Sequence, residues 1–174
     1  FMKRCLIAVL FLFVFPSMSM ALATTMEFGV RGGVDAGMLE DSYSSAEIYY
    51  LQALPWQKEL SPQIKIYTRL DAGVGYLNSG EREGAWLAVG GDVVLSLLGG
   101  LWELEGGFRP TLMSEHEYEK DDFGGPMQFS SHLGVTFKPN DVAIGYRYQH
   151  TSNAGIYDDN TGLDLHHLGV GVRF

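Results

Sequence analysis

Apolar and polar residues alternate at period two along most of this chain, the pattern of strands that separate two environments. From Met26 to Met38 the even positions read Met, Phe, Val, Gly, Val, Ala, Met, and the odd positions Glu27, Gly29, Arg31, Gly33, Asp35 and Gly37. Four further segments repeat it. Ile64, Ile66, Leu70, Ala72 and Val74 alternate with Lys65, Tyr67, Arg69 and Asp71, and between Ala85 and Leu97 the residues Leu87, Val89, Val93 and Leu95 oppose Asp92 and Ser96. Trp102, Leu104, Phe108 and Leu112 stand against Glu103, Glu105, Arg109 and Thr111. Met127, Phe129, Leu133, Val135 and Phe137 stand against Gln128, Ser130, His132, Thr136 and Lys138. Ser44 to Trp56 is strand-like without a clear phase. Val142 to Ser152 and Asp164 to Phe174 bring the expected count to eight.

A soluble sandwich also alternates, but it hides its apolar face. Three features favour the opposite arrangement, an all-β, eight-stranded antiparallel transmembrane barrel with apolar residues toward lipid and polar ones toward the lumen. The strands are long. Connections alternate between tight (Gly99-Gly100, Lys138 to Asp141) and extended (Ser114 to Pro126, Asn153 to Leu163). The chain ends on an alternating strand with Leu168, Val170, Val172 and Phe174 in phase, an ending that resembles the assembly signal of bacterial outer-membrane proteins. Closure satisfies every backbone donor and acceptor, the condition for crossing hydrocarbon. Eight strands leave a lumen wide enough only for side chains, so Glu27, Arg31, Asp35, Arg69, Asp71, Glu103, Arg109, Arg147 and Arg173 are expected to pair inside and no pore is expected. Both termini then lie on one side, taken as periplasmic, with the extended loops outside.

Residues 1–23 read as a cleaved secretory signal: Met2-Lys3-Arg4, an apolar run from Cys5 to Phe15, and a small-residue stretch ending Ala21-Leu22-Ala23. Phe1 precedes the plausible initiator and has no derivable role. The run is short of the roughly 20 residues of a spanning helix. Removing the leader moves the formal charge from −9 to −11 and takes away Cys5, so residues 24–174 form a single domain without a disulfide. The acidic balance, with no Lys/Arg patch, argues against nucleic acid.

The candidate chemistry lies in the last two strands. Val142, Ile144, Tyr146 and Tyr148 form the lipid-facing phase of one, and His150 and Ser152 continue it just above two tyrosines of the kind that mark a membrane interface. Read back from Phe174 in steps of two, the final strand puts His166 and Asp164 outward, and antiparallel pairing brings Asp164 close to His150 and Ser152. An imidazole to take a serine proton, a carboxylate to fix its tautomer, and donors for an oxyanion make an acyl-transfer set. Asn153, Asn160, or the backbone amides around Ala154 and Gly155 could supply the donors. The plainer reading is a polar strand end entering a loop. His132 reads as an interior residue. His166 and His167 point apart, which disfavours a shared metal. Glu115, Glu117, Glu119, Asp121 and Asp122 read as a solvated loop rather than a Ca²⁺ site, and Trp56, Trp86 and Trp102 as interface or packing aromatics.

Tyr148-Gln149-His150-Thr151-Ser152-Asn153-Ala154-Gly155, followed by Asn160, Gly162 and Asp164, resembles the lipid A 3-O-deacylases of the PagL type. The resemblance implies an outer-membrane serine esterase that hydrolyses the 3-position acyl ester of lipid A in lipopolysaccharide, without metal or cofactor. It implies Ser152 as nucleophile, His150 as general base, Asp164 as the orienting carboxylate, and Asn160 with the Ala154 N–H as oxyanion donors. Asp164 stands where the family pattern has Glu, so the shorter arm must be met by a small backbone shift or hold the imidazole less well. Asp158 and Asp159 are nearby but off the strand phase. The alternatives are a non-enzymatic structural or adhesive barrel, and a phospholipase or acyltransferase with the same triad. The sequence leaves a homodimer open.

Overall fold

The computed structural model describes residues 25–37, 42–118 and 120–174, so the expected signal segment lies outside the described residues. The strands are β1 (Met26–Asp35), β2 (Ser44–Ser61), β3 (Ile64–Asn78), β4 (Glu83–Leu97), β5 (Trp102–Met113), β6 (Met127–Phe137), β7 (Val142–Ser152) and β8 (Leu163–Arg173). Each pairs antiparallel with the next and β8 closes on β1, giving an eight-stranded closed barrel. Following partners around the wall leads from Met26 through Gln52, Leu70, Gly91, Phe108, Ser131 and His150 to Asp164. The Asp164 carbonyl then accepts the Ala36 N–H at 2.9 Å. The path has climbed from residue 26 to residue 36 of the first strand's line, the stagger that tilts barrel strands. Eleven-residue strands tilted by about 40° rise about 28 Å, enough for a hydrocarbon core of about 30 Å.

The two faces are chemically opposite, as the alternation predicts. Outward positions such as Phe28, Val30, Val74, Leu87, Phe108, Leu133, Ile144 and Leu168 are exposed all round the wall. An apolar band of that extent is far beyond what a water-soluble monomer shows. Inside, Arg109 donates to Glu47 (2.7 Å), Asp71 (3.0 Å) and Gln149 (2.6 Å). Arg147 reaches Glu105 and Asp71, Arg69 binds Asp92 at 2.8 Å and also Glu105, and Lys138 joins Glu27 (2.9 Å) to Glu103 (2.6 Å). Glycines make room: a Cβ on Gly107 would stand 2.1 Å from Asp92 Oδ1. Two members of the expected lumenal set do otherwise. Asp35 sits at the rim and accepts the Gly37 and Tyr43 amides, and Arg173 donates to the Asn140 carbonyl of the β6–β7 turn.

The loop end of the lumen is closed by a buried cluster of Tyr43, Leu77, Trp86, Met113, Tyr118, Phe123, Leu163 and Leu165. The other end opens into a cavity of about 350 Å³ bordered by Glu27, Tyr67, Glu103 and Lys138. Trp86 belongs inside, with the Arg109 guanidinium 5.5 Å from its ring; Trp56 and Trp102 face out. The uncertain phase of β2 resolves into odd-inward, with Ser45, Glu47, Tyr49 and Leu51 buried. Its register against β3 shifts between Ala53 and Gln57, and the strand continues to Ser61 as a hairpin exposed on both faces.

Candidate active site

β7 and β8 form one hairpin whose outward residues line up. His150 lies directly opposite Asp164, and Tyr148 opposite His166. His150 Nδ1 is 2.9 Å from Asp164 Oδ1, and the His150 side chain is 46% exposed against 17% for the carboxylate. The carboxylate is thus shielded while the imidazole beside it faces outward. Ser152 stands two residues farther along on the same face, about 7 Å by strand rise. Among the described residues no hydrogen bond joins its hydroxyl to His150; such contacts commonly tighten only with substrate present.

Beyond Ser152 the backbone turns sharply. Ala154 adopts φ +53°, a left-handed conformation rare for a residue with a side chain. Gly155 and Gly162 take φ +77° and +76°, where glycine is strain-free. A Cβ on Gly162 would stand 3.5 Å from His150 Cε1, so this glycine lets the loop return close against the imidazole.

The expected oxyanion residues separate into two groups. Asn153 is fully buried, and its Nδ2 donates to the carbonyls of Phe123 (2.9 Å) and Asp159 (2.6 Å) while its Oδ1 accepts the Gly155 N–H (2.7 Å). Its side chain is a latch between the β7–β8 and β5–β6 loops, with its amide N–H groups already engaged where the sequence offered them as oxyanion donors, and the Gly155 amide is likewise engaged. Asn160 accepts the Asn153 N–H at its Oδ1 (3.1 Å), which leaves its Nδ2 as a donor, and it is exposed. Thr161 ties the same loop to the Asp122 carbonyl at 2.8 Å.

Other groups around the pair escaped sequence reasoning. Ser131 of β6 is the cross-strand partner of His150 and faces outward. Phe129, partner of Ser152, stacks on Phe108 with centroids 5.7 Å apart and forms an apolar wall beside the serine. Tyr148 donates to Asp164 Oδ1 at 2.6 Å, and the Tyr146 hydroxyl meets His166 Nδ1 at 2.7 Å. Only the β6–β7–β8 register could have revealed these contacts.

His132 lies in the lumen, as expected, with Asp92 at 3.1 Å. Asp71, Asp92 and His132 draw close enough to share an ion, yet Arg109 and Arg147 already occupy Asp71 and Arg69 occupies Asp92, so the cluster reads as part of the ionic network. In the acidic loop, Asp121 is buried and accepts the Tyr43 hydroxyl (3.1 Å), and Glu115 accepts the amides of His116 and Glu117; Glu119 lies outside the described residues.

Over 170 residues the chain is 26% identical to "Lipid A deacylase PagL" of Bordetella bronchiseptica, covering 94% of this chain and 95% of that protein. The crystal structure of the outer membrane enzyme PagL superposes with a TM-score of 0.69 at 18% identity, covering 86% of this chain and 97% of the other, a likeness of fold. The family model described as "Lipid A 3-O-deacylase (PagL)" matches residues 44–173, and this integral outer-membrane β-barrel therefore belongs to that enzyme family.

Proposed function

We propose that the chain is a serine esterase that removes the ester-linked 3-hydroxyacyl chain from the 3-position of lipid A, using Ser152, His150 and Asp164. The observation that carries this reading is the 2.9 Å His150–Asp164 contact on the lipid-facing wall, with Ser152 one side-chain step along the same face. Asp164 holds Nδ1 in its protonated tautomer, leaving Nε2 as the base. As the acyl ester enters laterally, the serine side chain rotates toward Nε2 and its oxygen attacks the carbonyl carbon while the imidazole takes the proton. The Ala154 N–H and Asn160 Nδ2 stabilise the oxyanion. Collapse breaks the ester bond, and the imidazolium protonates the departing sugar oxygen. Water then attacks the acyl-enzyme, giving its proton to His150, and the fatty acid leaves as Ser152 is regenerated.

The outer face of β5 and β6 supports the same reading, because the Phe108–Phe129 stack gives an acyl chain an apolar bed beside the nucleophile. Ser152→Ala and His150→Ala should leave the barrel folded yet abolish the loss of one 3-hydroxyacyl mass from lipid A in expressing cells. Unaltered deacylation in either variant ends the assignment. A mass change confined to glycerophospholipids would make the protein a phospholipase instead.

A further inference from the structure

We propose, resting on the deacylase reading, that Tyr148 is a positioning residue for the reaction: its hydroxyl shares Asp164 Oδ1 with His150 and fixes the carboxylate that orients the base. Tyr148 and His150 are two apart on β7, and Asp164 lies across from His150, so the tyrosine reaches it along the diagonal, a span within range of an aromatic side chain. Both donors converge on one oxygen, at 2.6 Å from the phenol and 2.9 Å from the imidazole.

The contact constrains the carboxylate in two ways. First, the carboxylate sits on a wall that faces lipid, where little water can complete its hydrogen bonding and each unmet acceptor is costly. The phenol meets that need and disfavours rotation of Asp164 away from His150. Second, the arm of Asp164 is short, so its reach to the imidazole depends closely on one side-chain angle. A second donor pulling on the same oxygen sets that angle. The tyrosine is itself held: its ring lies 5.4 Å from that of His166, whose Nδ1 is bonded to Tyr146. Tyr148 touches no reacting atom in the mechanism above; it acts through Asp164.

The test uses the full-length barrel in detergent micelles with lipid A as substrate. Tyr148→Phe, which keeps the ring, should lower kcat about tenfold, within the coupling range of groups in one hydrogen-bonded network. KM should stay within twofold, and the heat-modifiable gel mobility of the folded barrel should be unchanged. In an Asp164→Ala background, with Ser152 activation read as the rate of fluorophosphonate labelling, the same change should cost nothing further. Activity of Tyr148→Phe within twofold of the parent, or equal losses in both backgrounds, overturns the proposal. Should Ser152→Ala also retain activity, the deacylase reading has failed rather than the role of Tyr148.

Discussion

Among the described residues two His–Asp contacts have similar length, His132–Asp92 at 3.1 Å in the lumen and His150–Asp164 at 2.9 Å on the outer wall. The lumenal pair is almost wholly buried, and its aspartate is claimed by Arg69, with Arg147 at 4.0 Å. No acyl ester can reach it. The outer pair has one shielded partner and one exposed partner, a serine along the same face, and an aromatic bed beside it. The pairing distance therefore says little about chemistry; surroundings decide whether an imidazole is a strut or a base.

Exchanging the carboxylate in each pair should break the symmetry most visibly. Asp164→Asn should reduce deacylation by a factor on the order of 10⁴, the loss seen when a triad imidazole is held in the wrong tautomer, with folding unchanged. Asp92→Asn should leave the specific activity of folded protein intact and lower its urea midpoint, because Arg69 loses a partner; lipid A mass spectra and urea titration followed by gel mobility read the two outcomes. The next largest effect falls on the lumen side. Arg109→Ala removes the buried guanidinium that Glu47, Asp71 and Gln149 share, leaving Asp71 to Arg147 and Glu47 to Arg31, and should cost about 3 kcal/mol of stability, visible as a fall in the folded fraction in urea, again without loss of turnover per folded molecule.

A smaller effect sharpens the outer side. Asn153→Ala unfastens the loop that carries Ala154 and Asn160 and should lower kcat about tenfold, roughly the 1.4 kcal/mol at stake in its buried hydrogen bonds, with a fall in the urea midpoint smaller than that of Arg109→Ala. Smallest of all, Ser131→Ala should retain activity within twofold in the same assay. A collapse of activity there would move the nucleophile from Ser152 to the cross-strand serine.

Much of this was legible in the sequence because period-two alternation depends only on the strand itself. The outward phase of His150, Ser152, Asp164 and His166 and the inward phase of His132 and His167 follow from parity, as do the bounds of β6 and β7. The phase of β2 was obscured because its inward positions include Tyr49 and Leu51, which read as lipid-facing, and because the irregularity after Ala53 resets the count. Trp86 lies inside for a reason alternation does not encode: the loop end of the lumen is filled with aromatics. The burial of Asn153 depends on carbonyls thirty residues upstream and six downstream, and the contact of Tyr148 with Asp164 depends on register and side-chain reach. Neither is written in local pattern.

The proposed catalytic residues stand on a convex wall rather than in a cleft, with His150 nearly half exposed. A scaffold of this shape supplies only one side of the enclosure around a bound acyl chain; neighbouring lipids must supply the other. Catalysis on such a surface inherits the fluidity of its surroundings, and a leaflet stiffened by cold or tighter lateral packing should slow turnover even when every protein atom keeps its place.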